Sequence, residues 1–125
     1  MESHIYNFVD QMGTFMTGAD CVLGKAGGLT VSESLACGLP LILVDVIPGQ
    51  ETGNANYVVS GNAGVLANDP TEVLEAMAHW LEKDRLQYQQ QAENARRLGR
   101  PRAAFDIAEQ IWALAMSREK EQIAL

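Results

Sequence analysis

The fold is decided by residues 27–44, which read GGLTVSESLACGLPLILV. Within this stretch, residues 29–37 have the composition of a helix, and Gly38 and Pro40 are typical of a helix end. Residues 39–44 follow at once and are almost continuously apolar, which favours a strand buried on both faces. A helix that leads directly into such a strand indicates a parallel sheet with helices packed against it.

The same alternation of strand and helix continues on both sides of this stretch. We predict further strands at residues 4–9, 20–24 and 63–66, and further helices at residues 11–19 and 51–60. The predicted fold class is therefore α/β, with a partial Rossmann-like, doubly wound parallel sheet of about four strands.

The rest of the chain is predicted to be a helical C-terminal tail that covers about residues 70–118. Asp69 as the N-cap and Glu72 at the third position are typical of a helix start. Residues 84–98 are polar and carry only a weak apolar stripe. We predict that residues 1–125 form a single partial domain, the second half of a larger nucleotide-binding domain.

The composition argues against several partners. The 125 residues include 16 acidic and 9 basic side chains, for a formal net charge of -7. Because nucleic-acid binding needs a basic face, we expect no nucleic acid as a partner. No apolar run approaches the roughly 18 residues of a membrane-spanning helix, and no signal peptide is visible, which favours a cytoplasmic location. Cys21 and Cys37 form neither a disulfide framework nor a zinc-binding pattern.

A glycine-rich turn, Gly24-Lys25-Ala26-Gly27-Gly28-Leu29-Thr30, joins a predicted strand to a predicted helix. Glycines in such a turn let backbone amides approach an anion, and the helix N-terminus adds about half a positive charge. The turn matches neither the Walker loop nor the dinucleotide fingerprint. On its own, the pattern fits a tight turn at least as well as an anion site.

Thr30 and Glu33 allow two interpretations. Their spacing is that of a capping box, in which the two side chains accept hydrogen bonds from backbone amides of the first helical turn. Alternatively, Glu33 lies one turn inside the helix and accepts hydrogen bonds from the two hydroxyls of a ribose. Spacing alone favours the capping box.

A second polar loop, Pro48-Gly49-Gln50-Glu51-x-x-Asn54, follows the predicted strand at residues 39–44 and opens the next helix. Ligands of α/β sheets bind beyond the carboxyl ends of the strands. Gln50 and Glu51 can bind sugar hydroxyls as donor and acceptor, although a plain loop with a capped helix would have the same pattern. Because both loops follow strands, we expect them at the same edge of the sheet.

Taken together, the two loops closely resemble the donor-binding domain of the GT-B glycosyltransferases, the C-terminal domain of family 28. Leu29-Thr30-Val31-Ser32-Glu33 is similar to the peptidoglycan N-acetylglucosaminyl transferases. Pro48-Gly49-Gln50-Glu51 with Asn54 is more similar to the monogalactosyldiacylglycerol synthases and the bacterial diacylglycerol glucosyltransferases. Phe8-Val9-Asp10-Gln11-Met12 resembles a loop just upstream in those enzymes. The resemblance covers roughly residues 5–112.

The resemblance implies an inverting glycosyltransferase domain that binds a uridine diphosphate (UDP) sugar, with transfer of a hexose to a lipid such as diacylglycerol. It implies no cofactor and no essential metal, since the helix dipole and loop amides supply the positive charge. It implies peripheral membrane attachment of the full-length enzyme. Matched residue by residue, the site would consist of Gly27, Gly28, Leu29 and Thr30 at the diphosphate, Glu33 at the ribose, Gln50, Glu51 and Asn54 at the sugar, and Phe8 and Val9 near the uracil.

The family's acceptor domain and catalytic base have no counterpart in these residues, so the catalytic residues are unknown and the isolated chain is expected to be inactive. Asn62 stands where the family usually has glycine, and asparagine tolerates the positive φ that such a position requires. Two alternatives stay open. One is a peptidoglycan-type N-acetylglucosaminyl transferase, and the other is a non-catalytic nucleotide-sugar-binding subunit that needs a partner chain.

The oligomeric state is predicted from the edge of the sheet. A sheet that begins at residues 4–9 has an exposed edge with unpaired amides and carbonyls. We therefore predict a homodimer through this edge, since pairing around a two-fold axis would cover it. The alternative is a monomer in which the tail helix covers the gap with Ile107, Ile111 and Leu114.

Overall fold

The computed structural model describes residues 2–82 and 85–123, with side chains as far as residue 117. Within these ranges, three parallel strands form one sheet in the order β1 (Val22–Gly24), β2 (Leu41–Leu43) and β3 (Gly64–Leu66). Helices separate the strands and follow them, so the predicted α/β class is confirmed. Asp84, at the start of the predicted helical stretch 84–98, lies outside the described residues.

The central strand β2 is buried and pairs with a strand on each side. Leu41, Ile42 and Leu43 are fully buried, as their continuous apolar run predicts. Leu41 pairs with Val22 of β1 on one side and with Gly64 of β3 on the other. A side chain at position 64 would collide with the backbone carbonyl of Leu41, so close approach of β2 and β3 requires glycine there.

The described residues form six helices, and each lies where a helix is predicted. The helix that begins at Pro70 has a side-chain cap. The Asp69 carboxylate accepts hydrogen bonds from the backbone N–H groups of Thr71 and Glu72 at 2.7 and 2.9 Å. This confirms Asp69 as the N-cap. The helices are α1 (Met12–Thr17), α2 (Gly28–Ala36), α3 (Thr52–Ser60), α4 (Pro70–Trp80), α5 (Leu86–Leu98) and α6 (Ala103–Ile123).

The two faces of the sheet have separate cores. On one face, Leu41 and Leu43 pack with side chains of α2, α3 and α5, among them Leu35, Val58 and Ala95. On the other face, Ile42 packs with Ala67 and with Trp80 of α4. The sheet is therefore covered on both sides, which explains why β2 needs no polar residue.

A buried polar network joins α4 to α5. The indole N–H of Trp80 donates to Oε1 of Gln91 at 2.7 Å, and Gln91 in turn donates to Oδ1 of Asn62 at 3.4 Å. Asn62 has a φ of 49°, so asparagine serves at this position where the family usually has glycine. The network stabilises the polar helix α5 against the rest of the fold, because each buried polar group has a partner.

The strand predicted at residues 4–9 is not formed, so the sheet has three strands instead of about four. Ile5 and Phe8 are 97% and 95% exposed, and the segment pairs with no strand in the described part of the chain. The edge strands of the sheet, among the described residues, are therefore β1 and β3. An apolar run forms a strand only when its backbone pairs with a neighbouring strand, and in the described part of the chain residues 4–9 make no such pairing.

The tail helix does not cover the sheet. Ile107, Ile111 and Leu114 of α6 are all more than half exposed, contrary to the model of a tail folded back over the gap. Within the described ranges, no helix is both long and apolar enough to cross a membrane.

Candidate functional site

The two sequence motifs meet at the carboxyl edge of the sheet. The first loop leaves β1 at Gly24 and enters α2, and the second leaves β2 and enters α3. The Nδ2 group of Asn54, in the first turn of α3, donates a hydrogen bond of 2.8 Å to the backbone carbonyl of Ala26 in the first loop. The predicted adjacency of the two loops is therefore confirmed, and a side chain of one loop holds the backbone of the other.

The N-terminus of α2 has no side-chain cap. Gly27 is the N-cap residue, and the first helical hydrogen bond runs from the N–H of Val31 to the carbonyl of Gly27. Among the described residues, the backbone N–H groups of Gly28, Leu29 and Thr30 have no partner. In the described part of the chain, α1, α3 and α5 likewise lack a side-chain cap, whereas α4 is capped by Asp69. The free amides of α2 can bind an anion, as can those of other uncapped helix N-termini.

A cleft of about 540 Å³ opens beside these donors, between α1, β1 and α2. Leu29, Thr30 and Glu33 line one wall, and Leu29 is 78% exposed. Met12, Phe15 and Met16 of α1 line the opposite wall. The cleft thus combines an apolar wall, a carboxylate and a helix N-terminus, a combination that suits a nucleotide with its base, ribose and phosphates.

The capping box predicted from Thr30 and Glu33 is not formed. Because α2 begins at Gly28, Thr30 is already the third residue of the helix and cannot be its N-cap. Glu33 is exposed, and in the described part of the chain its carboxylate accepts no backbone hydrogen bond. The other interpretation, in which Glu33 binds a ligand, is consistent with this arrangement, because the Glu33 side chain lines the cleft.

The second loop is organised by Glu51. The residue is 9% exposed, and its Oε2 accepts a hydrogen bond of 2.9 Å from the backbone N–H of Ile47. Gly49 has a φ of 81°, and its N–H donates to Oγ1 of Thr52 at 3.0 Å. Gln50 is exposed. Gln50 and Glu51 therefore differ in surroundings, with one side chain in solvent and the other turned into its own loop.

The uracil-proximal pair of the sequence prediction lies apart from the cleft. Phe8 is almost fully exposed and Val9 is half-buried, and neither lines the cleft. The structure thus places Thr30 and Glu33 at the cleft, whereas Asn54 contacts the first loop at Ala26 without lining the cleft, and Phe8 lies in solvent.

Cys21 also lines the cleft, on β1's amino side. Burial, followed by the negative charge of Asp20, raises the pKa of the Cys21 thiol above its usual value of 9.0. The thiol is therefore protonated at neutral pH, which argues against a nucleophilic role. In the described ranges, no three His, Cys, Asp or Glu side chains lie close enough together to hold a metal ion.

Two features of the site were not predicted from the sequence. Met12, Phe15 and Met16 lie in the helix predicted at residues 11–19, and their helical spacing is the signal that could have indicated an apolar wall. The hydrogen bond between Asn54 and Ala26 joins residues 28 positions apart, and local sequence gives no signal for it.

The sequence comparisons identify the family of this chain. Residues 1–111 match the model of the glycosyltransferase family 28 C-terminal domain, and the chain belongs to this family.

Several curated relatives of this chain carry the name of one kind of enzyme in the family. The chain is 40% identical over 116 residues to monogalactosyldiacylglycerol synthase 3, chloroplastic, of Arabidopsis thaliana, covering 93% of this chain and 25% of the relative. It is 43% identical over 110 residues to a probable monogalactosyldiacylglycerol synthase 2 of Oryza sativa subsp. indica, covering 88% and 24%. It is 38% identical over 114 residues to a probable synthase of Glycine max, covering 91% and 22%. The chain thus spans about a quarter of the length of these relatives.

Proposed function

We propose that this chain is the donor-binding part of a glycosyltransferase that moves a hexose from a UDP-sugar to diacylglycerol. The observation that carries the proposal is the uncapped N-terminus of α2 beside a cleft that contains Thr30 and Glu33. The names of the relatives support galactose as the sugar and diacylglycerol as the acceptor.

Each part of the donor has a counterpart in the two loops. The N–H groups of Gly27, Gly28, Leu29 and Thr30 bind the diphosphate, because free amides at a helix N-terminus stabilise negative charge. The Glu33 carboxylate accepts hydrogen bonds from both ribose hydroxyls. The uracil lies toward the apolar wall of α1 that Met12, Phe15 and Met16 form.

The sugar lies at the second loop. Gln50 is the exposed side chain there, with both a donor and an acceptor for hydroxyl groups. Glu51 and Asn54 already use one polar atom each within the protein, Oε2 and Nδ2. Their remaining oxygens, Oε1 of Glu51 and Oδ1 of Asn54, are the atoms available to accept hydrogen bonds from the sugar.

The proposed reaction is a single displacement with inversion at the anomeric carbon. The acceptor hydroxyl oxygen forms the new bond to this carbon while the bond to the diphosphate oxygen breaks, and UDP leaves. The negative charge that develops on the diphosphate is stabilised by the amides of the first loop and α2, without a metal. The acceptor proton passes to a general base supplied by residues outside this chain.

A chimera tests this function. The chain replaces the 116 matching residues of the Arabidopsis synthase, and the product is incubated with UDP-galactose and diacylglycerol. We expect a galactolipid, and we expect the same chimera with Glu33→Ala to form far less of it. A chimera that folds and binds UDP but forms no galactolipid would contradict the proposed transfer.

A further inference from the structure

Asn54 connects the two loops of the proposed site. It is the third residue of α3, and its half-buried side chain donates from Nδ2 to the carbonyl oxygen of Ala26 at 2.8 Å. Ala26 is fully buried. Because water does not reach this residue, the Asn54 amide is the group that satisfies its carbonyl.

The direction of the Ala26 carbonyl determines the direction of a neighbouring donor. The carbonyl of Ala26 and the N–H of Gly27 belong to one planar trans peptide unit, in which the two groups point in opposite directions. A carbonyl held toward α3 therefore turns the Gly27 N–H away from α3. This N–H has no partner among the described residues, and the donors of α2 follow directly after it.

We propose that Asn54 is a positioning residue for the diphosphate-binding loop, in addition to any contact it makes with the sugar. The inference rests on the proposed function, because it assigns a role within the same site. Asn54 holds the peptide between Ala26 and Gly27 in the orientation that presents the Gly27 N–H to an anion. Pre-organised donors bind an anion more tightly than donors that must first be ordered.

The two possible roles of Asn54 predict different effects of its substitution on the affinities for UDP and UDP-galactose. A side chain that only contacts the sugar affects the affinity for UDP-galactose and leaves the affinity for UDP unchanged. A side chain that positions the diphosphate loop affects both ligands, because both contain the diphosphate.

The chain offers a matched control two residues away. Asn56 is an exposed asparagine in the same helix, and among the described residues its side chain makes no hydrogen bond. Asn56→Ala therefore changes helix propensity by the same amount as Asn54→Ala, without removing a contact to the first loop.

Calorimetric titration of wild type, Asn54→Ala and Asn56→Ala with UDP and with UDP-galactose tests the inference. We expect Asn54→Ala to weaken UDP binding about tenfold, the scale of one lost hydrogen bond, and Asn56→Ala to bind like wild type. The fitted stoichiometry separates a weaker site from a smaller folded fraction. If Asn54→Ala does not fold, Asn54→Leu gives the same comparison, because leucine keeps a side chain of similar length but donates no hydrogen bond to Ala26.

A second readout is the amide resonance of Gly27 in ¹H–¹⁵N spectra without ligand. We expect it to shift in Asn54→Ala and to stay in place in Asn56→Ala. Unchanged UDP affinity in Asn54→Ala, with wild type binding UDP normally, would overturn the positioning role alone. A wild-type chain that binds neither ligand would overturn the proposed function, and the positioning role with it.

Discussion

The carboxylate of Glu51 accepts a hydrogen bond of 2.9 Å from the backbone N–H of Ile47, four residues earlier in the same loop. The backbones of the same two residues also form a hydrogen bond, in which the N–H of Glu51 donates to the carbonyl of Ile47 at 2.9 Å. Together they close the turn that leaves Gln50 exposed at its tip. A residue expected to face the sugar therefore also shapes the loop from which its neighbour reaches out.

This arrangement predicts a stability effect at position 51. Glu51→Ala should lower the free energy of unfolding by about 1–2 kcal/mol, because the loop loses a charge-assisted hydrogen bond. Glu51→Gln keeps an oxygen acceptor and should lose less than half as much. Chemical denaturation measures both, with the exposed neighbour Gln50→Ala as the control. Equal losses for the alanine and glutamine variants would show that the Ile47 hydrogen bond does not stabilise the loop.

Glu33→Ala should weaken UDP binding by about tenfold or more, since hydrogen bonds to charged groups contribute about 1.5–3 kcal/mol. The melting temperature should stay close to that of wild type, because Glu33 is exposed and caps no helix. Calorimetry and thermal unfolding are compared with Glu75→Ala, an exposed glutamate on α4. A lower melting temperature with unchanged UDP affinity would mean that Glu33 has a structural role only.

The isolated chain should transfer no sugar. General-base catalysis needs a group within hydrogen-bond reach of the acceptor hydroxyl, and the resemblance assigns that group to residues outside this chain. Incubation with labelled UDP-galactose and diacylglycerol should yield no labelled lipid, whereas the chimera described above serves as the positive control. Measurable turnover by the chain alone would disprove this expectation and place the base among its own residues.

Self-association remains a prediction, but the structure changes where the contact would lie. Among the α6 side chains that the structure describes, as far as residue 117, five large apolar ones are more than half exposed, namely Phe105, Ile107, Ile111, Trp112 and Leu114. We expect a homodimer by light scattering at about 100 μM, since association depends on concentration. The double variant Ile107→Ser, Ile111→Ser should shift the mass toward a monomer, while Ala113→Ser on the polar face should not. A wild-type monomer at that concentration would contradict the prediction.

Local patterns in the sequence were sufficient for most of the elements. The apolar run at Leu41–Leu43 and the cap at Asp69 depend on neighbours within a few residues, and both predictions were confirmed. Residues 4–9 show the limit of the same reasoning. Their apolar side chains fit a strand, but a strand also needs a partner with free hydrogen-bonding groups, which a local pattern cannot identify.

The site was predicted less completely than the fold. The capping box failed because α2 begins at Gly28, which moves Thr30 inside the helix, and helix ends are the least certain part of a sequence-based prediction. The bond from Asn54 to Ala26 depends on how α3 packs beside the first loop. The burial of Gln91 likewise depends on its hydrogen bond to Trp80 of another helix. Such tertiary contacts are set by the assembled fold.

The central claim is that the first loop and α2 form a UDP-sugar site, and a calorimetric titration of the wild-type chain with UDP and with ADP tests it most directly. Both nucleotides offer the same diphosphate to the amides of Gly27 and Gly28, so the comparison isolates recognition of the base. We predict weak binding of UDP and at least roughly tenfold weaker binding of ADP, a difference of about 1.4 kcal/mol. Equal affinity for the two nucleotides, or no binding of UDP, would contradict the account.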